Sequence, residues 1–260
     1  MHFTSFGRRL TALVALCGLV LTQSAFAADG KGKLYSGEPI NALLITGGCC
    51  HNYVFQSMAL SEGVSAQANV KWTIVNQGGK GTKAMIPFYN NKYWAKPYDV
   101  IVHNECFANT DDPAYIQGIA ATHRSGKPAV VIHCAMHTYR AAKVDDWREF
   151  LGVSSWHHEH QSNYPVKIVK PDHPIMKGFK KDWVTAKDEL YIVKKLWPNA
   201  EALATSKSEK TGEEQPVVWV NKFKGTRVFG TTYGHSDATF RDPTFINLVA
   251  RGVVWAAGKK

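Results

Sequence analysis

The sequence predicts an α/β fold: a mostly parallel central sheet covered by helices on both faces, with a small antiparallel extension. Three observations lead there. Short, continuously apolar runs in the first half alternate with stretches of helical spacing, as strands buried on both faces require. The second half carries several short strand-like runs separated by turn signals instead of helices. A last stretch with one apolar face closes the chain as a helix.

The elements follow in order. Residues 42–46 (ALLIT) are a buried strand ending in Gly47-Gly48. Residues 54–68 have helical spacing, and residues 70–75 form a second strand closed by Gly78-Gly79. Residues 99–103 (DVIVH) are a third strand, residues 113–124 a helix opened by Pro113, residues 128–133 (PAVVIH) a fourth strand and residues 144–151 a short helix. Then come short strands at residues 166–169, 189–193, 202–205, 217–220 and 227–231, with turns such as Asp172-His173-Pro174 and Lys224-Gly225 between them. Residues 243–257 are the closing helix, with Phe245, Leu248, Val249, Gly252, Val253 and Trp255 on or beside one face.

The N-terminus reads differently. Arg8-Arg9, an apolar run over residues 10–22 and Ala25-Phe26-Ala27 have the layout of a secretory signal ending at residue 27. Residues 28–39 then form a loose, Gly-rich leader, and residues 40–260 a single domain. The expected location is periplasmic or secreted. No stable membrane insertion is expected after cleavage, because the apolar run is too short to span a bilayer.

Composition excludes other classes. With 45% apolar and 20% charged residues, the chain is neither disordered nor a coiled coil. The formal net charge is +10; loss of residues 1–27 removes Arg8 and Arg9 and no acid, leaving +8. The basic residues are scattered, with no basic helix, so no nucleic-acid partner is expected.

The 11 histidines are the informative count. In an open α/β sheet, ligands bind beyond the carboxyl ends of the strands. His51 follows the first strand, His103, Asn104 and Glu105 the third, His133 and His137 the fourth, and His235 a late one. Trp156-His157-His158-Glu159-His160 reads as a loop cluster. His103 and His123 read as polar surface residues, and His173 as a residue that shapes its turn. Neutral imidazoles with a carboxylate suit a divalent metal or proton transfer near neutral pH. His133, Glu105 and His235 are therefore the candidate catalytic residues. His51, Asn104, His137, Trp156, Glu189 and Tyr191 are candidates for substrate binding. His51, His133 and His158 are candidate ligands for a divalent ion such as Zn2+.

Beyond Cys17 in the signal segment, four cysteines remain: Cys49, Cys50, Cys106 and Cys134. They allow three full pairings, and their strand-end positions predict that they are neighbours. One disulfide between adjacent loops, or four thiols in a pocket wall, would satisfy that placement. Cys134 follows a strand as a nucleophile would, but such an elbow needs small residues two positions either side, where this chain has Ile132 and Met136. There is no G-x-G-x-x-G after a strand and no Walker A, so no nucleotide cofactor is expected. No G-x-S-x-G supports a serine triad.

An ordered set of pieces runs from about residue 42 to 258: the strand and loop ending at His51, Tyr98-Asp99-Val100 with Asn104-Glu105, residues 126–133 (GKPAVVIH), His173-Pro174-Ile175, Glu189-Leu190-Tyr191, residues 225–229 (GTRVF), Gly234-His235 and Trp255-Ala256. In these the chain resembles the ThuA-like (trehalose utilisation) domain family. The resemblance implies a class I glutamine amidotransferase-like, flavodoxin-like three-layer fold and a role in carbohydrate catabolism. It also implies that the amidotransferase cysteine position is not a nucleophile, with His133 at that turn. Cys49-Cys50 and His157-His158-Glu159-His160 depart from the common pattern and suggest a sub-branch. The expected function is an exported sugar-active protein, a hydrolase, lyase or isomerase taking a small saccharide such as trehalose, another disaccharide or a 3-keto-sugar. The alternatives are a non-catalytic carbohydrate-binding protein and a thiol-dependent amidase.

Overall fold

The computed structural model describes residues 1–2 and 32–260. The expected export signal, apart from Met1 and His2, lies outside the described residues. The end of the expected leader is not loose. The first strand, β1, runs Tyr35–Gly48; Tyr35 pairs with Ala68 of the next strand, and continuous pairing resumes at Ile40 opposite Val70. Residues 36–39 are exposed and lie in the irregularity between those pairs, where the Asn69 amide donates to the Gly37 carbonyl at 2.7 Å.

After β1 come α1 (Tyr53–Gln67), β2 (Ala68–Asn76), β3 (Val100–Cys106), α2 (Pro113–Arg124), β4 (Ala129–Ile132) and α3 (Asp146–Leu151). The second half contains β5 (Val153–Ser162), β6 (Lys167–Ile168), β7 (Asp188–Leu196), β8 (Ala200–Lys207), β9 (Glu214–Phe223), β10 (Thr226–Thr231), α4 (Asp237–Arg241) and α5 (Pro243–Ala256). Eight strands form one sheet in the order β2-β1-β3-β4-β10-β9-β8-β6. From β2 to β10 every pairing is parallel; from β10 outward every pairing is antiparallel. β5 and β7 make a separate antiparallel pair.

Alternation within the apolar strands builds two cores. Leu44, Val102, Val130 and Ile132 pack with Leu60 and Val64 of α1 and Phe245, Leu248, Val249 and Val253 of α5. Leu43, Ile45, Ile101 and Val131 face the other way, onto Ile116 and Ile119 of α2 and Trp147 and Phe150 of α3. Helices cover both faces, which is why these strands are apolar throughout. The helices start where their caps predict. Asn52 accepts from Phe55 N–H, Asp112 from Tyr115 N–H and Asp242 from Thr244 N–H, the last two followed by Pro113 and Pro243.

Two expectations are corrected. The His157-His158-Glu159-His160 segment is not a loop but part of β5, whose bulged register against β7 hides the period-2 pattern. His103 and His123 are not surface residues; both are fully buried between the sheet and the α2–α3 layer. His173 does shape its turn: its Nδ1 accepts from Ile175 N–H at 3.3 Å. Among the described residues, no helix is long and apolar enough to cross a membrane.

Candidate functional site

Three strand ends meet because three backbone features let them. Gly48, at φ +101°, lies against the end of β3, where an added Cβ would collide with the Cys106 carbonyl. The chain therefore turns sharply after β1 and carries His51 over the sheet edge. β4 ends at Ile132, and His133 itself takes the left-handed turn, at φ +47°. Gly234, at φ +136°, packs so closely that a Cβ there would sit 2.8 Å from Ile132 Cγ2. That approach delivers His235 from the loop after β10.

The result is a three-imidazole cluster. His51 Nε2 lies 3.1 Å from His133 Nε2 and 3.3 Å from His235 Nδ1. The hydrogen bonds around it assign the protons. His133 Nδ1–H donates to the Thr232 carbonyl at 2.6 Å, so its Nε2 carries a lone pair. The Tyr53 hydroxyl donates to the Cys49 carbonyl at 3.2 Å, which leaves its oxygen to accept from His51 Nδ1–H at 3.0 Å. His51 Nε2 therefore also carries a lone pair. Two lone pairs face each other at 3.1 Å with no proton between them. The Tyr191 hydroxyl, 3.3 Å from His133 Nε2, can donate to that nitrogen.

Protonation does not resolve the conflict. Burial, then His235, pushes His51 down to about 4, with Glu189 opposing. Burial and then His51 push His133 well below its ordinary value. His235 differs: its bond to Glu189 raises it, against its partial burial. Its Nδ1 is 3.2 Å from Glu189 Oε2, and Gln161 holds its Nε2 at 2.7 Å. A half-turn of the Gln161 amide would turn the Nδ1 lone pair inward as well. Burial pushes the Glu189 carboxyl up, but the His235 bond and the neighbouring imidazoles hold it below the usual range. The same oxygen lies 3.7 Å from His133 Nε2.

Several expected residues line this centre. Tyr191 bridges from His133 to His137, whose ring stacks on it with centroids 4.0 Å apart. His137 Nε2–H donates to Ser155 Oγ at 3.0 Å; burial and then Arg140 push this ring down to about 3. Arg140 also donates to the Trp156 carbonyl at 2.9 Å, and the exposed Trp156 ring lies against the Arg148 guanidinium, 5.6 Å from the ring centroid. His158 is peripheral. Its Nδ1 donates to the Glu159 carbonyl at 2.8 Å and lies 3.5 Å from Glu189. Among the described residues, His51, His133 and His235 each offer a ring nitrogen within 4.8 Å of the others, a set that does not include His158.

Other expected residues are not brought here. Glu105 is fully buried and lies in β3, not in a loop after it. Its Oε1 meets His103 Nδ1 at 2.9 Å, and His103 Nε2 meets His123 Nε2 at 3.1 Å. His123 Nδ1–H donates to the Lys127 carbonyl at 2.8 Å, so His103 Nε2 must donate to His123. One further proton then fits between His103 and Glu105, and this second cluster is complete except for Glu105 Oε2, which has no partner. Asn104 is also buried. Its amide donates to Gln56, whose own amide donates to the His235 carbonyl at 3.2 Å, so Asn104 braces the His235 loop from behind.

Sequence reasoning missed Tyr53, Gln161 and Gln56, which hold the imidazoles or the loop that carries them, and Asp188 holds the same loop from next to the expected Glu189. Asp188 accepts from the Gly234 and His235 N–H groups and from Thr239 Oγ1. Burial still raises its carboxyl to about 6. Tyr53, two residues after His51, is the one neighbour a spacing argument could have found. Cys134 is joined to Cys106, and Cys49 to Cys50, so Cys134 is no free nucleophile here.

A family model described as ThuA, trehalose utilisation, matches residues 41–256. Among solved structures, a ThuA-like protein from Parabacteroides merdae is 24% identical, with a TM-score of 0.67 over 85% of this chain and 91% of its own. One from Bacteroides uniformis is 18% identical, with a TM-score of 0.65 over 87% and 95%. A GMP synthase protein from Thermoplasma acidophilum is 11% identical, with a TM-score of 0.50 over 83% and 96%. At these identities the likeness is one of fold. No curated protein matches the sequence.

Proposed function

This chain belongs to the ThuA (trehalose utilisation) family, and from that premise we propose that it is an exported, metal-assisted enzyme of carbohydrate catabolism. Its substrate is a small saccharide, a disaccharide or its 3-keto form, taken at the three-histidine edge of the sheet. The observation that carries this reading is the pair of inward lone pairs on His51 and His133, 3.1 Å apart with both Nδ1 protons committed elsewhere. Such a gap suits a cation. Two imidazole nitrogens on one tetrahedral Zn2+ at about 2.0–2.1 Å lie about 3.3–3.4 Å apart, close to the 3.1 and 3.3 Å separations here.

In this reading His51, His133 and His235 hold the ion, and the Thr232 carbonyl and Tyr53 hydroxyl fix two of the rings as outer partners. A divalent ion there supplies Lewis acidity toward a sugar carbonyl or hydroxyl. Glu189, anionic and beside His235, accepts and returns the substrate proton. The Tyr191 hydroxyl, kept protonated by burial, donates to a sugar oxygen. Trp156 offers an exposed ring face to the saccharide.

The test is elemental analysis of untagged protein, followed by turnover of disaccharides and their 3-keto forms with and without Zn2+. The expected result is equimolar metal and metal-dependent turnover, both lost in His133→Ala. Full activity without metal, or in His133→Ala, overturns the reading. Saturable sugar binding with no product identifies a binding protein instead.

A further inference from the structure

Beside the histidine centre lies a second chemical cluster that the sugar reading does not use. Gly48 at the end of β1 is in register with Cys106 at the end of β3, and Cys49 N–H donates to the Cys106 carbonyl at 3.3 Å. This stacks two disulfides. Cys49–Cys50 lies on the outside, with Cys50 exposed and held at φ +81°. Cys106–Cys134 lies behind it, with both residues buried. The Cys49 and Cys106 sulfurs are 3.8 Å apart, so a thiolate on Cys49 needs little movement to reach Cys106.

We propose that the four cysteines form a two-stage thiol–disulfide relay, which carries an electron pair from an external dithiol at the exposed Cys49–Cys50 bond to the buried Cys106–Cys134 bond. Exchange proceeds by attack of a thiolate on a disulfide sulfur through a mixed disulfide. One thiolate of the dithiol attacks Cys50 Sγ; the Cys49–Cys50 bond breaks and Cys49 leaves as thiolate. The second thiol displaces Cys50, so the dithiol departs as a disulfide and Cys49 and Cys50 are both reduced. Cys49 then attacks Cys106 Sγ, and Cys134 leaves as thiolate. Cys50 attacks Cys49 Sγ, which restores Cys49–Cys50 and releases Cys106. In the balance, the dithiol loses two electrons and two protons, and Cys106 and Cys134 gain them. The outer pair is a carrier and the buried pair the acceptor. Reduction of that pair cuts the one covalent tie between the end of β3 and the turn that starts with His133.

The relay makes the buried bond depend on the outer pair. The experiment treats the folded full chain with dithiothreitol, traps thiols by alkylation at timed intervals and maps them by mass spectrometry. In the parent, Cys106 and Cys134 become alkylated once the outer pair has been reduced. In Cys49→Ser their reduction slows by at least about tenfold, because the direct route requires an external thiolate to reach a buried sulfur. The Cys50→Ser variant changes only an exposed side chain. It retains the Cys49 thiol without its resolving partner, so a Cys49–Cys106 linkage is expected with Cys134 alkylated. Reduction of Cys106–Cys134 in Cys49→Ser at the parental rate overturns the relay. So does a Cys50→Ser protein in which Cys49 is free and Cys106–Cys134 intact.

Discussion

The molecule holds two clusters of histidines, built from the same residue types to opposite effect. His103, Glu105 and His123 are fully buried inside the α2–α3 layer, and each ring proton there has an acceptor. At the sheet edge His51 and His235 are half-buried and His133 is buried, and their hydrogen bonds leave two lone pairs facing one gap. Burial alone therefore does not mark a reactive histidine. The direction of the unprotonated nitrogens is what separates the two clusters. The edge set leaves lone pairs unmatched; the chain that ends on Glu105 has an acceptor for every ring proton.

The largest effect that separates the clusters is on stability. Glu105→Ala removes one member of a buried, hydrogen-bonded pair and should cost about 3–5 kcal/mol in denaturant unfolding, with metal content unchanged. A loss of metal with no loss of stability would reverse the roles assigned to the two clusters. Next, His235→Ala should leave the melting temperature of metal-free protein nearly unchanged. It should lower turnover by about 10²-fold or more, the scale on which proton transfer and ligand placement contribute. Tyr53→Phe probes the outer support of the edge cluster. It removes the acceptor of His51 Nδ1–H and should weaken metal affinity about tenfold in a competition titration. The smallest effect is at the exposed Trp156: Trp156→Ala should raise KM by an amount worth about 0.5–1.5 kcal/mol, with kcat retained. Trp147, packed against His103, gives the contrasting case: Trp147→Ala should cost about 3–5 kcal/mol of stability and leave saccharide binding intact.

Much of this is legible from residue order. Continuous apolar runs locate β1, β3 and β4 because both faces are covered. Once strands are placed, their carboxyl ends name His51, His133 and His235 as neighbours. The expected turn at His133 is there, with its positive φ. What stays hidden has physical causes. β5 is half exposed and bulged, so no alternation survives to announce it. His103 reads as a surface residue although it shares a strand face with Ile101 in a fully buried strand. His123 reads the same way although it continues the stripe of Ile116, Ile119 and Ala120 at helical spacing. Both sit in apolar patterns that outweigh their polarity. That His235 and not His158 lies beside His51 and His133 is beyond any spacing rule, because the ring orientations depend on hydrogen bonds with Thr232, Tyr53 and Gln161.

The three edge histidines also set an order of events in time. His51 and His133 are 82 residues apart, and His51 and His235 are 184. Contacts between such distant residues close slowly, because the intervening chain must be organised first. A chain that folds as it emerges from its N-terminus has the first two rings in hand long before the third. Until the loop after β10 arrives, there is a sheet edge with two imidazoles and no Glu189–His235 pair to finish it. A polypeptide interrupted before residue 235 would lack the third ring of the centre and its contact with Glu189.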